Sequence, residues 1–397
     1  MNSITDNSLK QVQNTSLNFK RFLFDQINLD KRLIAIKGAR GTGKTTLLLQ
    51  LLKSRYGLSE EAVYVSLDNI YFTDNQLINF ADWFAKIGGK VLFLDEVHKY
   101  PAWSREIKNI YDDYPELKVI FTGSSILEID KSEADLSRRA VVHELPALSL
   151  REFISFQYGF SFQKYTLEDI MNQHIEMAAE INQKIKPLKA FNEYNSFGAY
   201  PYYKEAGEDY YNHIERIVNM TLETDLPAIL NMDYSSVVKI KKLLYIISQS
   251  VPFQPNISGL SRKTGIMRDT LLRYLHYLKQ SKLIELLHSG VKGMSYMNKP
   301  EKIYLDNANL LYALNPQTPE TGTIRETFFM NQLKQQYKVR YSKKSDFFVD
   351  NRFTFEVGGN KKTAKQIRGL PDAYIAADNI EYGYRNHIPL WMFGFLY

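Results

Sequence analysis

A glycine-rich segment near the N-terminus restricts the fold of this 397-residue chain more than any other feature. Residues 38–45 read GARGTGKT and fit the phosphate-binding loop pattern G-x-x-x-x-G-K-[ST]. The apolar stretch Leu33–Ile36 precedes the loop and the apolar stretch Leu47–Leu49 follows it. This order predicts a strand, a glycine loop and the start of a helix, which is the context that separates the pattern from an ordinary glycine turn.

Each residue type in the loop has a chemical role in holding a chain of phosphates. The glycines allow backbone conformations in which successive N–H groups point inward around the anion. Lys44 is expected to bring a positive charge to the β- and γ-phosphates, and Thr45 to supply a hydroxyl ligand for Mg²⁺. The predicted phosphate contacts are Gly38, Ala39, Arg40, Gly41, Thr42, Gly43, Lys44, Thr45, Thr46 and, further along the chain, Ser124.

A second apolar segment supplies the acids that a nucleotide and metal site needs. Val91–Leu94 is followed directly by Asp95 and Glu96, as in a buried parallel strand that ends at a ligand crevice. We predict that Asp95 holds Mg²⁺, directly or through water, and that Glu96 polarises the attacking water. Two neighbouring acids with different roles indicate a hydrolase rather than a pure nucleotide binder.

A third apolar segment, Val119–Phe121, ends in hydroxyl groups. If its strand lies between the strands that carry the loop and the acids, Thr122 or Ser124 would sense a bound triphosphate. The alternative is that these hydroxyls cap the following helix.

The order of segments predicts an α/β fold class. After a helical lead-in to about Asn28, strand and helix signals alternate to about Pro146, which indicates a parallel sheet with helices on both faces. The closing segment Pro389–Tyr397 is expected to form a buried final strand. The predicted parts are a P-loop sheet domain (1–148), a helical region (149–236), a winged helix-turn-helix (237–316) and a small α+β domain (317–397).

The third part has a local excess of positive charge. Two short helices joined through Gly265 and followed by the strand Leu283–Leu287 outline a winged helix-turn-helix, with residues 268–281 as its recognition helix. Between residues 239 and 282, nine lysines and arginines stand against the single acid Asp269, and nine minus one leaves plus eight. Such a surface favours double-stranded DNA as a partner. The alternative is a lid or a protein-docking module.

Together these motifs resemble the uncharacterised prokaryotic AAA-type ATPases, whose C-terminal domain of unknown function looks like a restriction-endonuclease fold. The resemblance implies an ATP-binding, Mg²⁺-dependent ATP hydrolase that acts as a molecular switch or motor and is expected to form homo-oligomers. The alternative function is an ATP-gated, Mg²⁺-dependent nuclease. The resemblance covers nearly the whole chain and rests on the phosphate loop, Ser66–Asp68, Leu94–Val97 with Trp103, Thr122–Ser125, Leu136–Arg139 and Leu148–Phe153.

One arginine of the segment Leu136–Arg139 acquires a role from this resemblance. The family usually has a glycine followed by one arginine, but Ser137 replaces the glycine here, so either Arg138 or Arg139 is the equivalent residue. That arginine would offset charge on the γ-phosphate, in the same chain or from a neighbouring subunit. The alternative is that both are surface arginines on a helix.

Three acids in the last part resemble the metal-binding carboxylates of the restriction-endonuclease fold. They are Glu326 on a helix, Asp346 at the opening of a hairpin and Glu356 on the next strand. In an active nuclease a lysine two residues after the last acid steadies the attacking water, but Gly358 stands there and the pair Lys361–Lys362 would have to substitute. We therefore expect an inactive domain in which a divalent cation could still bind between the carboxylates.

Composition limits the remaining classes. The chain has no cysteine, which excludes disulfides and thiolate metal sites. The first residues lack the basic and apolar regions of an export signal, and no stretch approaches the roughly twenty apolar residues that span a bilayer. We therefore expect a cytoplasmic protein without a membrane partner.

Overall fold

The structure, a computed structural model, describes residues 2–124, 136–290, 299–315 and 317–397. Packing divides the chain into two compact units, Met1–Pro146 and Ala147–Tyr397. The division of the second unit into three further parts stays a prediction. Ser125, which was grouped with Thr122 and Ser124 in the sequence, lies outside the described residues.

A five-stranded parallel sheet forms the centre of the first unit, with the order β2-β3-β4-β1-β5. Its strands are β1 (Leu33–Gly38), β2 (Ala62–Ser66), β3 (Val91–Asp95), β4 (Lys118–Ser124) and β5 (Val141–Glu144). The first four strands are almost wholly buried, as expected for parallel strands covered by helices on both faces. β4 lies between β1 and β3, so the predicted α/β class and the extra strand between the motif strands are both confirmed.

The helix Leu77–Lys86 shows how an apolar stripe packs in the core of this unit. In the helix Leu77–Lys86, buried Leu77, Phe80, Ala81 and Phe84 recur with helical spacing. The helices of the first unit are Asn2–Asn14, Lys44–Tyr56, Tyr71–Asp74, Leu77–Lys86, Trp103–Asp113 and Leu136–Arg139, with 3-10 turns at Phe22–Asp25 and Val97–Lys99.

The predicted helical lead-in to Asn28 is wrong beyond Asn14, where the first helix ends. The Thr15 hydroxyl donates to the Gln11 carbonyl at 2.7 Å, and the Ser16 hydroxyl accepts from the Asn18 N–H at 3.2 Å. Such side chains offer the backbone partners that compete with a helix.

The second unit begins with helices and ends with strands. Its helices are Leu150–Tyr158, Leu167–Lys184, Pro187–Phe197, Tyr203–Ala206, Tyr210–Met220, Leu226–Leu230, Tyr234–Ser248, Ile257–Thr264, Arg268–Gln280, Ala308–Leu314 and Thr321–Leu333, with a π-helical turn at Thr221–Asp225 and a 3-10 turn at Gly207–Asp209. Gly265 joins two of these helices with φ +70°, a conformation that favours glycine.

Two sheets complete this unit. An antiparallel pair consists of β6 (Ile284–Leu287) and β7 (Lys302–Leu305). A mixed sheet has the order β12-β11-β10-β9-β8. Its strands are β8 (Val339–Tyr341), β9 (Phe347–Val349), β10 (Phe353–Gly358), β11 (Ala373–Ala377) and β12 (His387–Pro389). β9 and β10 form the predicted hairpin around Asp350 and Asn351, which both have positive φ.

The predicted final strand is wrong, because β12 ends at Pro389 and a 3-10 helix, Leu390–Phe395, follows it. All of these helical residues are buried. A continuous apolar run has no period that separates a buried strand from a buried helix, so the sequence did not distinguish them.

A buried ion triad connects the two-stranded sheet to the helix Thr321–Leu333. The Lys334 Nζ lies 2.8 Å from Glu285 Oε1 and 2.5 Å from Asp306 Oδ1. Glu285 belongs to β6, Asp306 follows β7, and Lys334 follows the helix.

Within the described residues, no helix has both the length and the apolar character to cross a membrane.

Candidate nucleotide site

The phosphate loop connects β1 to the helix Lys44–Tyr56, as its sequence predicted. Gly41 and Gly43 have φ of 79° and 91°, which few other residues adopt. Gly38 is needed for a different reason, since a Cβ there would lie 2.4 Å from the Leu145 carbonyl oxygen. The loop therefore depends on glycine for backbone conformation at two positions and for close packing at a third.

Lys44 lies inside this loop. Its Nζ donates to the carbonyls of Gly38 at 3.0 Å and Ala39 at 2.9 Å, and the residue is 6% exposed. The Thr42 hydroxyl donates to the same Ala39 carbonyl at 2.9 Å. Thr46 is exposed at the start of the helix. An ammonium group at the inner side of a glycine loop is placed to pair with a phosphate chain.

Asp95 is the centre of the hydrogen-bond network at the end of β3. Its Oδ2 accepts from the Thr45 hydroxyl at 2.7 Å and from the Tyr64 hydroxyl at 2.9 Å. Its Oδ1 accepts from the Thr122 hydroxyl and from the Glu96 N–H. The structure thus brings together the two predicted metal ligands, Thr45 and Asp95, although they are fifty positions apart in the chain. A hydroxyl and a carboxylate are oxygen ligands of the kind that Mg²⁺ prefers.

Glu96 lies at the edge of the same site in a conformation that constrains its side chain. Its φ is 53°, which is uncommon outside glycine and concentrates at functional sites. Its Oε2 lies 4.0 Å from Arg40 Nη2 and 3.5 Å from His98 Nε2. Arg40 of the loop and Glu96 of the acidic pair are therefore close enough to interact, while the carboxylate stays about one-fifth exposed.

The hydroxyls at the end of β4 lie next to this network. Thr122 accepts from the Glu96 N–H at 3.1 Å while donating to Asp95, so it fixes both acids. Ser124 is buried and pairs in register with Gly38 of the loop.

The two candidate arginines differ in their surroundings. Arg139 Nη2 lies 3.2 Å from Asp112 Oδ1, and its guanidinium lies 5.7 Å from the centre of the Tyr111 ring. Arg138 is exposed. Arg139 is thus engaged within its own unit.

Two residues contact this site whose role was not predicted from the sequence, Arg21 and Tyr64. Buried Arg21 donates to the Thr42 carbonyl of the loop and, at 2.8 Å, to the Pro146 carbonyl. Tyr64 holds Asp95, and burial together with that carboxylate raises the pKa of its hydroxyl strongly. Neither residue lies in a recognisable motif.

The predicted C-terminal features lie in the second unit. Lys241 pairs with Glu223, and Lys279 Nζ lies 3.7 Å from Glu285 Oε2, so part of the basic surplus is neutralised locally. The exposed basic residues of the segment around the helix Arg268–Gln280 are Arg262, Lys263, Arg268 and Arg273.

Comparisons with known proteins agree with this geometry. The family model of the AAA domain matches residues 30–154, and that of a domain of unknown function, DUF8612, matches residues 188–321. An uncharacterized protein of Methanocaldococcus jannaschii is 25% identical over 371 residues, which cover 86% of this chain and 78% of that relative.

Solved structures give weaker similarities. AMPPCP-bound DnaA from Aquifex aeolicus is 15% identical, with coverage of 70% of this chain and 89% of that chain and a TM-score of 0.28. PCH-2 of C. elegans is 17% identical, with coverage of 40% of this chain and 45% of that chain and a TM-score of 0.24. The family match and the sheet order identify residues 30–154 as an AAA-type P-loop domain, the fold of ATP-binding NTPases.

Proposed function

We propose that this chain is a Mg²⁺-dependent ATP hydrolase that works as a molecular switch or motor. The observation that carries the proposal is the contact between Thr45 and Asp95, with Glu96 next to them at the end of β3. A nucleotide binder needs the first two residues, whereas the second acid, which is partly accessible at 22% exposure, is suited to act on water.

Each residue has a separate role in this proposal. The loop N–H groups and Lys44 bind the phosphates, while Thr45 and Asp95 hold Mg²⁺, which neutralises phosphate charge when bound. Glu96 orients and polarises the attacking water. Arg40 sets the position of the Glu96 carboxylate through their ion pair, since both side chains are mostly buried at 20% and 22% exposure.

Two variants test these roles in the full chain. Lys44→Ala should abolish tight binding of Mg·ATP, because it removes the charge inside the loop. Glu96→Gln should keep binding but lose turnover, because the phosphate cradle stays whole. ATP turnover and nucleotide affinity are measured together, with exposed Glu60→Gln as the control. Wild-type turnover in Glu96→Gln would show that the role of Glu96 is wrong.

The proposed partner is double-stranded DNA or a protein, bound through the helices Ile257–Thr264 and Arg268–Gln280 and the strands that follow. Three helices and an antiparallel strand pair in this order are the elements of a winged helix-turn-helix. Two exposed arginines of the helix Arg268–Gln280, Arg268 and Arg273, support a contact with phosphates. We also propose that Arg138 acts on the nucleotide of a neighbouring subunit in a homo-oligomer.

A further inference from the structure

A cluster of opposite charges lies in the second unit, where β7, the helix Thr321–Leu333 and the strands β9 and β10 meet. Its acids are the three predicted carboxylates Glu326, Asp346 and Glu356, and its bases are Lys302 and Lys362. Four of these side chains are at most 18% exposed, and Lys362 is 31% exposed.

Lys302 lies between two of the carboxylates. Its Nζ is 3.0 Å from Glu326 Oε2 and 3.6 Å from Asp346 Oδ1. The Tyr304 hydroxyl donates to the same Glu326 oxygen at 2.8 Å. Burial opposes the charged form of Lys302, but the two carboxylates outweigh it and raise the pKa of the ammonium. Lys302 is therefore a permanent cation at a position bridging two acids.

Lys362 serves the third carboxylate. Its Nζ lies 2.5 Å from Glu356 Oε1. A Cβ at Gly358 would lie 2.8–2.9 Å from the Lys362 side chain, so a lysine or any other residue at position 358 would displace it. Glycine at position 358 therefore leaves the space in which Lys362 reaches Glu356.

The cluster is linked internally but is not fully satisfied. Asp346 Oδ2 accepts from the Val357 N–H at 2.9 Å, which connects it to the strand that carries Glu356. Glu356 is 2% exposed, and its Oε2 accepts no hydrogen bond from any described residue. Burial raises the pKa of Glu356, with a further contribution from Asp346, while Lys362 opposes the change.

We propose that these three carboxylates form a cation pocket whose cations are the chain's own ammonium groups, Lys302 and Lys362. Three negative and two positive charges leave one negative charge, so a divalent cation would have to displace an ammonium group from its carboxylates to bind. Across the residues that the structure describes, no group of three His, Asp or Glu side chains is arranged to hold a metal. The divalent cation that the restriction-endonuclease resemblance implies therefore does not fit here.

Removing the ammonium groups should expose a metal site that the wild-type chain does not have. In the Lys302→Met/Lys362→Met variant the three carboxylates lose both ammonium partners, and methionine keeps an unbranched side chain. We expect this variant to bind one additional Mn²⁺ per chain with a Kd of roughly 0.1–1 mM, the range of a weak all-oxygen site. Adding Glu356→Gln should abolish that gain.

The experiment is a Mn²⁺ titration of the full chain without nucleotide, followed by the electron paramagnetic resonance of free Mn²⁺. Wild type and Glu356→Gln should bind equal amounts, because any Mn²⁺ at the nucleotide site is common to both. The control variant Lys343→Met/Lys361→Met removes two exposed lysines and should behave as wild type.

Two results would overturn the proposal. One is wild-type Mn²⁺ binding that Glu356→Gln removes, which would show that metal displaces the lysines. The other is a folded double variant, judged by near-UV circular dichroism, that gains no Mn²⁺. If the double variant does not fold, Lys362→Met alone is used, since that lysine is the more exposed, and the wild-type comparison with Glu356→Gln decides independently.

Discussion

The buried triad of Lys334, Glu285 and Asp306 should make the second unit sensitive to acid in a way that one variant can isolate. Burial disfavours the charged form of Glu285, but the positive charges of Lys334, Lys279 and Lys282 hold its pKa at about 2 rather than 4.5. A carboxyl group whose pKa is lower in the folded state stabilises that state above its unfolded pKa. This contribution is lost as the pH falls through the folded pKa.

The magnitude follows from the two pKa values. The difference between 4.5 and about 2 corresponds to about 3 kcal/mol of folding free energy. About 2 kcal/mol of this is lost by pH 3, and the rest disappears as the pH falls toward the folded pKa. Lys334 remains charged throughout this range, because Asp306 and Glu285 outweigh its burial and raise its pKa.

The assay is urea unfolding between pH 7 and pH 3. Of the three tryptophans, Trp83 and Trp103 lie in the first unit and buried Trp391 lies in the second. A Trp83→Phe/Trp103→Phe background therefore makes fluorescence a report on the second unit. Glu285→Gln in this background should lose about 3 kcal/mol at pH 7, and its deficit relative to the parent should shrink by about 2 kcal/mol at pH 3.

The control is Glu176→Gln, an exposed acid of the same unit, which should leave stability unchanged at every pH. A deficit of Glu285→Gln that stays constant from pH 7 to pH 3 would refute the reasoning, because it would mean that Glu285 titrates alike in the folded and unfolded chains.

Three further variants test the remaining proposals. Arg21→Met should destabilise the first unit by about 2–4 kcal/mol, because two backbone carbonyls lose a charged donor. Urea unfolding is followed by far-UV circular dichroism, and a variant that unfolds at the same urea concentration as the wild type would contradict this. Arg138→Ala should lower ATP turnover on the order of a thousandfold at unchanged nucleotide affinity. It should also remove any rise of turnover per chain with protein concentration. An equal loss in Arg139→Ala would contradict the assignment to Arg138. Arg268→Glu with Arg273→Glu should weaken duplex DNA binding at all sequences and reduce its salt slope by about two. Wild-type protein without salt-sensitive binding would favour a lid or protein-docking role.

The sequence predicted the phosphate loop and the strand that ends in the acidic pair because each is a local pattern. Residues 38–45 and the pair Asp95–Glu96 each combine an apolar strand with residue types that have few other uses together. The place of β4 between β1 and β3 was expected for a P-loop sheet with an extra strand, whereas the places of β2 and β5 were not predicted. Arg21 and Tyr64 were missed because their roles depend on packing between distant parts of the chain.

The C-terminal cluster shows a second limit of sequence reasoning. The three acids were named because their predicted elements resemble those of the restriction-endonuclease fold, but the partners of Glu326 and Glu356 come from β7 and from four residues beyond Gly358. Position 358, where the fold would have a lysine, is glycine, and the sequence left both Lys361 and Lys362 as alternatives. The space that Gly358 leaves open for Lys362 is visible only in three dimensions.

The ion pairs of Lys302 and Lys334 also have a mechanical consequence. Lys302, at one end of β7, is bound to Glu326, and Asp306, beyond the other end, is bound to Lys334. Glu326 and Lys334 are eight residues apart, so ion pairs attach the strand pair to the helix Thr321–Leu333 at two points about 12 Å apart. A single attachment would act as a pivot, whereas two prevent rotation. The helix Arg268–Gln280 leads directly into β6, so a rotation of that helix together with the strand pair would also move the helix Thr321–Leu333.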